Sequence, residues 1–118
     1  MKVVYASRTG NVEKFVNKLG ITDLLKIETG DEEVEDEFVL FTYNDGEGDI
    51  PEVVKKFLDN NAFLCVGAFT SGNALNHPYT YNQAAEKIKE LYDVEILGRF
   101  DSDGDEDDVD DALNALGL

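Results

Sequence analysis

The sequence predicts an α/β fold in which a five-stranded parallel sheet is covered by helices on both faces. Five short apolar runs alternate with four stretches of helical periodicity, as in chains built from βα units. Three of the runs are apolar at nearly every position, as expected of strands buried on both faces. The five runs span residues 2–6, 24–28, 38–43, 63–69 and 94–100.

The composition of each run predicts its place in the sheet. The first, third and fourth runs are the most apolar and belong in the middle. The second and fifth contain charged side chains, Lys26 and Glu95 among them, which suits strands at the edges. The predicted strand order is therefore 2-1-3-4-5. At 118 residues we expect one domain, over residues 1–118, with a single core.

The first two helices are predicted from their apolar faces and their starts. From Val12 onward, apolar residues recur at offsets of three, four and seven, which places them on one helical face. The second helix is predicted to be capped by Asp49, with Pro51 in its first turn, where the missing N–H is tolerated. From Ile50 to Leu58 its apolar residues keep one face, which we expect to pack on the sheet.

End signals also predict the third and fourth helices. Thr80 begins a capping-box pattern, so the third helix is expected to begin near Tyr81. The fourth helix is predicted in the acidic segment near the end of the sequence, with Asp107 and Asp108 in its first turn, where the helix dipole favours acids. Gly117 is expected to end it.

The charge of the chain narrows the classes of partner. The sequence has 26 acidic and 10 basic side chains, a formal net charge of −16. Such a field disfavours direct binding to nucleic acid or to an anionic membrane surface. It keeps a small protein soluble and monomeric and speeds its encounter with a basic partner surface. Simple solubility is the alternative interpretation of the same acids.

The apolar content predicts the compartment. No apolar run approaches the length of a membrane span, about 18 residues, and no secretory leader is evident. We therefore expect a cytoplasmic protein. Cys65, the one cysteine, cannot form an internal disulfide, which suits a reducing compartment. Because its neighbours are apolar, we expect a buried, inert thiol.

An acidic segment near the end of the sequence invites a calcium interpretation. Asp101, Asp103 and Asp105 alternate as in an EF-hand loop. That loop needs glycine at its sixth position and a bidentate glutamate at its twelfth, and this sequence has Glu106 and Ala112 there. We therefore predict no metal site.

Three predicted loops converge at one edge of the sheet. In a parallel α/β sheet the ligand site lies beyond the carboxyl ends of the strands, where the strand order reverses. Here the reversal falls between the first and third strands, next to loops 7–11, 44–49 and 70–79. Each loop contains glycine and small polar residues, which suits a phosphate held by backbone N–H groups and hydroxyls. For the first loop alone, an ordinary strand-to-helix turn is the alternative.

Several other activities are disfavoured. No Gly-Lys-Ser or Gly-Lys-Thr follows the first loop, so it is not a Walker A sequence, and it lacks the cysteine with which a small phosphatase attacks. No nucleophile, base and orienting acid converge, which disfavours a hydrolase. A phosphoacceptor receiver is a poor match, because Tyr43 stands where the third strand should end in aspartate.

The first loop resembles the phosphate loop of flavodoxin-like proteins, and specifically that of the NrdI flavoproteins associated with class Ib ribonucleotide reductase. The similarity extends over nearly the whole chain. Its motifs are Ser7-x-Thr9-Gly10-Asn11-Val12, Thr42-Tyr43 with Gly46-x-Gly48, Pro51-Glu52, Ser71-Gly72-Asn73, Ala85-x-Lys87-Ile88 and Arg99-Phe100. The family usually follows Ser-Gly-Asn with Arg-Asn-Trp-Gly, whereas this chain has residues 74–77 as Ala-Leu-Asn-His.

The resemblance implies noncovalently bound FMN and no metal or catalytic side chain. It assigns the FMN phosphate to Ser7, Thr9, Gly10, Asn11 and Val12, with Arg8 also among the cofactor-binding residues. It assigns the surroundings of the isoalloxazine ring to Thr42, Tyr43, Asn44, Asp45, Gly46, Glu47, Gly48, Ser71, Gly72, Asn73, His77 and Tyr79. Because the chain has no tryptophan, His77 or Tyr79 is expected to supply an aromatic ring there.

The resemblance also implies a function. In the family the flavin passes electrons, and with oxygen it supplies the oxidant that assembles the dimanganese tyrosyl-radical cofactor of the reductase's small subunit. The expected partners are that subunit and a flavin-reducing enzyme, so the protein is a redox carrier rather than a stand-alone enzyme. The alternatives are a general flavodoxin-type carrier for another partner and a cofactor-free acidic interaction domain on the same fold.

Overall fold

The computed structural model of the protein describes residues 1–44, 49–72, 83–101 and 103–117. Within these ranges the strands form one parallel sheet in the order β2-β1-β3-β4-β5, which confirms the predicted fold class and strand order. The elements are β1 (Lys2–Tyr5), α1 (Asn11–Lys18), β2 (Leu24–Lys26), β3 (Phe38–Tyr43), α2 (Glu52–Asn61), a 3₁₀ turn (Ala62–Leu64), β4 (Cys65–Gly72), α3 (Gln83–Tyr92), β5 (Ile96–Asp101) and α4 (Glu106–Ala115).

The register of the sheet brings the carboxyl ends of its strands to one edge. Tyr43 at the end of β3 is paired with Ser71 of β4, and Ser71 is paired in turn with Phe100 of β5. Tyr5 at the end of β1 is paired with Phe41. The first loop and the starts of the second and third loops therefore leave the sheet on the same side. This is the edge at which parallel sheets bind ligands.

The core has two layers, one on each face of the sheet. Alternate residues of a strand point to opposite faces, so Val3 packs in the layer next to α1 and α4, and Val4 packs in the layer next to α2 and α3. The first layer is aromatic. Its buried phenylalanines form a chain in which the ring of Phe15 stacks on Phe100 at 4.0 Å between centroids, and Phe41 stacks on Phe69 at 4.8 Å.

One glycine permits this aromatic layer to close under α4. Gly104 lies in the loop before α4 with φ +71°, and a Cβ there would lie 2.5 Å from Cδ2 of Phe15. Both the backbone conformation and the space therefore require glycine. Lys18 at the end of α1 holds the same loop, since its ammonium group donates to the carbonyls of Asp103 at 3.2 Å and Gly104 at 3.3 Å.

The start predicted for α2 is wrong. The residue that caps this helix is Pro51, whose extended backbone leaves its carbonyl to accept a bond from the N–H of Lys55. Asp49 lies two residues before the cap, and its carboxylate instead pairs with Lys87 on α3. The fixed φ of proline sets the helix start without a side-chain cap, and Asp49 instead connects the segment before α2 to α3.

The ends of α4 agree with the sequence prediction, with one addition. Asp107 and Asp108 lie in the first turn, and Gly117 follows the last residues of the helix with φ +77°. The cap is Asp105, which accepts a bond from the N–H of Asp108, while the Asp108 carboxylate accepts one from the N–H of Asp105. The predicted start of α3, at Thr80 and Tyr81, lies outside the described residues.

The described residues also bear on membranes, metals and the cysteine. None of their helices combines the length and apolar character needed to cross a bilayer, and no group of three or more potential metal ligands occurs among them. Cys65 is partly buried, and burial raises the pKa of its thiol to about 11. The thiol is therefore protonated at neutral pH, as expected of an inert cysteine.

The acidic segment after β2 is ordered by one of its own carboxylates. Glu32 accepts bonds from the N–H groups of Glu28 at 2.9 Å and Gly30 at 2.8 Å, and from Thr29. The buried amide of Asn61 donates to the Glu32 carbonyl at 2.9 Å and so ties the segment to the end of α2. Burial acts to raise the pKa of Glu32, but the backbone donors outweigh it and lower the pKa to about 2.

This clamp predicts an acid-sensitive contribution to stability. Because the pKa of Glu32 falls from 4.5 to about 2 on folding, its contribution is fully present above pH 4.5 and is lost as the pH falls toward about 2. Glu32→Gln should lower the free energy of unfolding by about 1 kcal/mol at neutral pH, since a charge-assisted acceptor becomes a neutral one. Urea unfolding at several pH values measures the difference.

The matched control is Glu33→Gln, which removes the same charge from an exposed neighbour. It should leave stability nearly unchanged at every pH. A gap between Glu32→Gln and the parent protein that stayed constant down to about pH 3 would contradict the clamp.

Candidate functional site

The first loop of the site joins β1 to α1 and turns at a left-handed glycine. Gly10 caps α1 with φ 93° and ψ −6°, a conformation that other residues rarely adopt. Its carbonyl accepts the first helical bond, from Lys14 N–H at 2.9 Å. A left-handed residue at this point directs successive backbone N–H groups toward one concavity, the arrangement that binds anions.

Ser7 holds the loop in this shape. Its Oγ accepts bonds from the N–H groups of Gly10 at 3.1 Å and Glu13 at 3.3 Å. Ser7 therefore acts as a side-chain cap from outside the helix, a role that its distance from the helix start hides in the sequence.

Several other donors of this loop are not used by the described residues. Within the described part of the chain, the N–H groups of Thr9, Asn11 and Val12 have no acceptor, and the side chain of Thr9 is exposed. The Ser7 hydroxyl hydrogen likewise has no acceptor among the described residues. The loop thus presents backbone donors and hydroxyls together, which is the donor set that a phosphate group requires. These residues fit the phosphate of FMN.

A carboxylate beside the loop is neutralised locally. Glu13 lies in the first turn of α1, where it would repel a phosphate if its charge were unopposed. Its Oε1 lies 3.2 Å from the ammonium of Lys26 and accepts a bond from the Tyr5 hydroxyl at 3.1 Å. The hydrogen bond to Lys26, then that from Tyr5, lowers the pKa of Glu13. This cluster could not be predicted from the sequence, because its members come from β1, α1 and β2.

Arg8 and Tyr43 connect the first loop to the second. The guanidinium carbon of Arg8 lies 5.4 Å from the ring centroid of Tyr43, within the range of a cation–π contact. A positive charge and a partly exposed aromatic ring therefore stand side by side at the end of β3. Both residues belong to the predicted site, and the fold brings them together.

Asn44 joins the starts of the second and third loops. Its backbone N–H and its side-chain Nδ2 both donate to the carbonyl of Ser71, at 3.0 and 2.9 Å. Its Oδ1 accepts a bond from the N–H of Ala84 at 2.9 Å, in the first turn of α3. One side chain therefore links β3, β4 and α3 at the carboxyl ends of the two central strands.

The threonines of the central strands lie below the surface of this edge. Thr42 is fully buried, and its hydroxyl donates to the carbonyl of Tyr43 at 3.3 Å. Its partner in the register, Thr70, is also buried, and among the described residues it has no hydrogen-bonding partner for Oγ1. Ser71 is nearly buried, and Gly72 beside it is partly exposed. Thr42 and Ser71 therefore lie just below the surface at the carboxyl ends of β3 and β4.

The rest of the predicted ring site falls outside the described residues. These positions are Asp45, Gly46, Glu47, Gly48, Asn73, His77 and Tyr79. The described positions of the prediction lie in loop 7–12 and at the adjoining ends of β3 and β4. The two sets meet in sequence at Asn44 and Gly72, so the described edge leads directly into both.

Comparison with known proteins finds a matching family, a relative in sequence and a neighbour in structure. The family model described as NrdI Flavodoxin like matches residues 3–114. Protein NrdI of Bacillus licheniformis is 38% identical over 110 residues, which cover 93% of this chain and 82% of that protein. A short-chain flavodoxin associated with a PDU bacterial microcompartment has a similar structure, with a TM-score of 0.74 and 22% identity, covering 99% of this chain and 94% of that one.

The three comparisons carry different weight. The likeness to the short-chain flavodoxin shows the fold, at an identity too low to show more. The family match spans residues 3–114, which include the first loop, β3, β4 and the helices between them, and the NrdI relative aligns over 93% of the chain. The chain therefore belongs to the NrdI family of flavodoxin-like, FMN-binding redox proteins associated with ribonucleotide reductase.

Proposed function

We propose that the protein holds FMN at the carboxyl edge of its sheet and acts as a redox carrier for the dimanganese small subunit of class Ib ribonucleotide reductase. The observation that supports it best is the first loop. Gly10 and Ser7 fix that loop so that the N–H groups of Thr9, Asn11 and Val12 remain available for a phosphate. The same six residues, Ser7 to Val12, form the proposed phosphate site.

The phosphate is held mainly by neutral donors. The backbone N–H groups and the Thr9 hydroxyl supply hydrogen bonds, and the dipole of α1 adds a partial positive charge. Arg8 supplies the full positive charge nearest in sequence. The Glu13 carboxylate, paired with Lys26, is kept from opposing the bound anion.

The ring is proposed to lie between the second and third loops. Tyr43 and Asn44 begin one wall, and Ser71 and Gly72 begin the other. Bound FMN supplies one- and two-electron transfer at this edge. The chain's own contribution is to orient the ring and shield it from water, and Asn44 keeps the two walls at a fixed separation through its bonds to Ser71 and Ala84.

The partner is proposed from charge and family together. A net charge of −16 favours rapid encounter with a basic protein surface, and the family is associated with ribonucleotide reductase. We propose that the small subunit receives electrons or flavin-generated oxidant from this protein. A separate flavin-reducing enzyme then reduces the bound flavin again. In this scheme the protein is cytoplasmic and monomeric.

Thr9→Val should weaken FMN binding without weakening the fold. Thr9 is exposed and makes no side-chain bond among the described residues, so its hydroxyl is free to serve the phosphate. Losing one such bond should raise the dissociation constant about tenfold. Quenching of FMN fluorescence on titration measures it. Thr22→Val, at an exposed threonine between α1 and β2, is the control. Equal FMN affinities for the two variants would mean that the phosphate binds elsewhere.

Ser7→Ala should weaken both the loop and the cofactor. The substitution leaves the N–H groups of Gly10 and Glu13 without their acceptor, which should lower the stability of the FMN-free protein by about 1 kcal/mol. FMN affinity should fall as well, because the donors of the loop lose their fixed direction. Urea unfolding without FMN and fluorescence titration separate the two effects. An unchanged unfolding curve would contradict the capping role.

Mixing with a manganese-loaded class Ib small subunit tests the partner. The FMN-loaded, reduced protein should bind that subunit more weakly as salt is added, because the attraction is between opposite charges. With oxygen present, a tyrosyl radical should appear in the electron paramagnetic resonance spectrum. The FMN-free protein is the control and should give no radical. Binding of FMN without radical formation would defeat the reductase role and leave a general flavodoxin-type carrier.

A further inference from the structure

A groove with two exposed apolar side chains lies at the opposite end of the sheet from the first loop. Phe63 in the 3₁₀ turn is 82% exposed, and Leu91 in the last turn of α3 is 60% exposed. Both line one open groove of about 550 Å³. Single exposed leucines are common, but a phenylalanine left almost wholly in water beside a second large apolar side chain marks a contact surface.

The rim of this groove is acidic. The carboxylates of Asp59, Glu90 and Asp93 line it together with the apolar pair. Asp59 accepts a bond from the Tyr92 hydroxyl at 2.7 Å, which fixes its direction. Glu90 and Asp93 form no ion pair within the part of the chain that the structure describes. Two of the three acids therefore remain available to an external cation.

Asp93 is unfavourable for folding in two independent ways. It has φ 56°, and it is the one described residue other than glycine in the left-handed region. Such a site after a helix is usually taken by glycine or asparagine. It also places a negative charge at the end of α3, where the helix dipole favours a base. Asp93 therefore contributes little to the stability of the helix end, and its exposed side chain stands at the rim of the groove.

The charges decide which occupant the groove suits. A second copy of this chain would bring another net charge of −16 and a second acidic rim to the same contact. An anionic lipid surface would be repelled in the same way. A segment with lysine or arginine on either side of an apolar side chain complements both parts of the groove.

We propose that this groove docks a basic segment of a partner protein, whose apolar side chain packs between Phe63 and Leu91 while its lysine or arginine side chains pair with Glu90 and Asp93. Aromatic side chains at the centre of a contact commonly carry most of its binding energy, with charges at the rim. Phe63 is the expected centre.

The position of the groove in the fold determines which surfaces a docked segment leaves uncovered. Phe63 precedes β4, and the third loop follows it. β4 has eight residues, so the two ends lie about 25 Å apart. A segment docked at Phe63 therefore leaves the carboxyl edge uncovered. The contact is a tether rather than a route for electrons, and its existence does not depend on FMN binding.

The probe is a short peptide in which leucine and lysine alternate, titrated into the isotopically labelled full chain. Backbone NMR shifts report where it binds. We expect the largest shifts at Ala62–Leu64 and Glu90–Asp93, with loop 7–12 unaffected. Peptides that replace leucine by serine, or lysine by glutamate, should bind at least tenfold more weakly.

Matched variants separate the groove from the general acidity of the chain. Phe63→Ser with Leu91→Ser should weaken the peptide at least tenfold. Glu90→Gln with Asp93→Asn should weaken it about tenfold at low salt and less at high salt. The control, Glu106→Gln with Asp110→Asn, makes the same charge change at exposed acids of α4, which packs on the other face of the sheet, and should change affinity less than about twofold. Thermal unfolding verifies that each variant is folded.

Three results would overturn the proposal. Shifts spread over all acidic surfaces would mean that the peptide follows net charge alone. An equal loss of peptide affinity in the groove charge variant and in the control charge variant would also mean that the peptide follows net charge. A concentration-dependent dimer in sedimentation, abolished by Phe63→Ser, would make the occupant a second copy. Failure of FMN binding in a separate titration would leave this docking surface standing, because the two tests share no residue.

Discussion

The amide of Asn44 is the interaction on which the candidate site depends. A parallel sheet brings strand ends to one edge but leaves the following loops to diverge. Asn44 ties the end of β3 to β4 and to the start of α3, because its backbone N–H and its Nδ2 donate to the Ser71 carbonyl and its Oδ1 accepts from Ala84 N–H. Each such bond contributes about 1 kcal/mol, and leaving a buried partner unsatisfied costs more. The spacing between the end of β3, Ser71 of β4 and the first turn of α3 is therefore held by Asn44, through its backbone N–H and its side-chain amide.

The chain has a net charge of −16 and yet binds an anionic cofactor. The repulsion between its acids and the cofactor phosphate is limited by the distance between them. At physiological salt, charges more than about 8 Å apart are largely screened, so only the acids near the first loop matter to a phosphate. The nearest in the helix, Glu13, is paired with Lys26 and bonded to Tyr5. The remaining acids are free to act over the surface as a whole, where they favour basic partners. The ion pair of Glu13 with Lys26 therefore protects the phosphate site, while the other acids favour encounter with a basic partner.

The sequence allowed the sheet to be predicted because its signals are local. Continuous apolar runs identified the central strands, and Gly10 identified the turn into α1. The predicted cap at Asp49 failed because Pro51 fixes its own backbone angle and starts the helix without help. The role of Asn44 was hidden for a different reason. Its partners Ser71 and Ala84 lie 27 and 40 residues away, and only the register of β3 on β4 brings them together.

The polarity of the parallel sheet gives this small protein two independent ends. Every strand directs its carboxyl end toward the candidate site, so the helices that return along the sheet must finish at the opposite end. That end is where α2 and α3 terminate and where Phe63 and Leu91 are exposed. Because β4 separates the two ends by about 25 Å, residues at one end are free to change without moving donors at the other. A fold with strands in both directions would mix the two sets of loops at each edge.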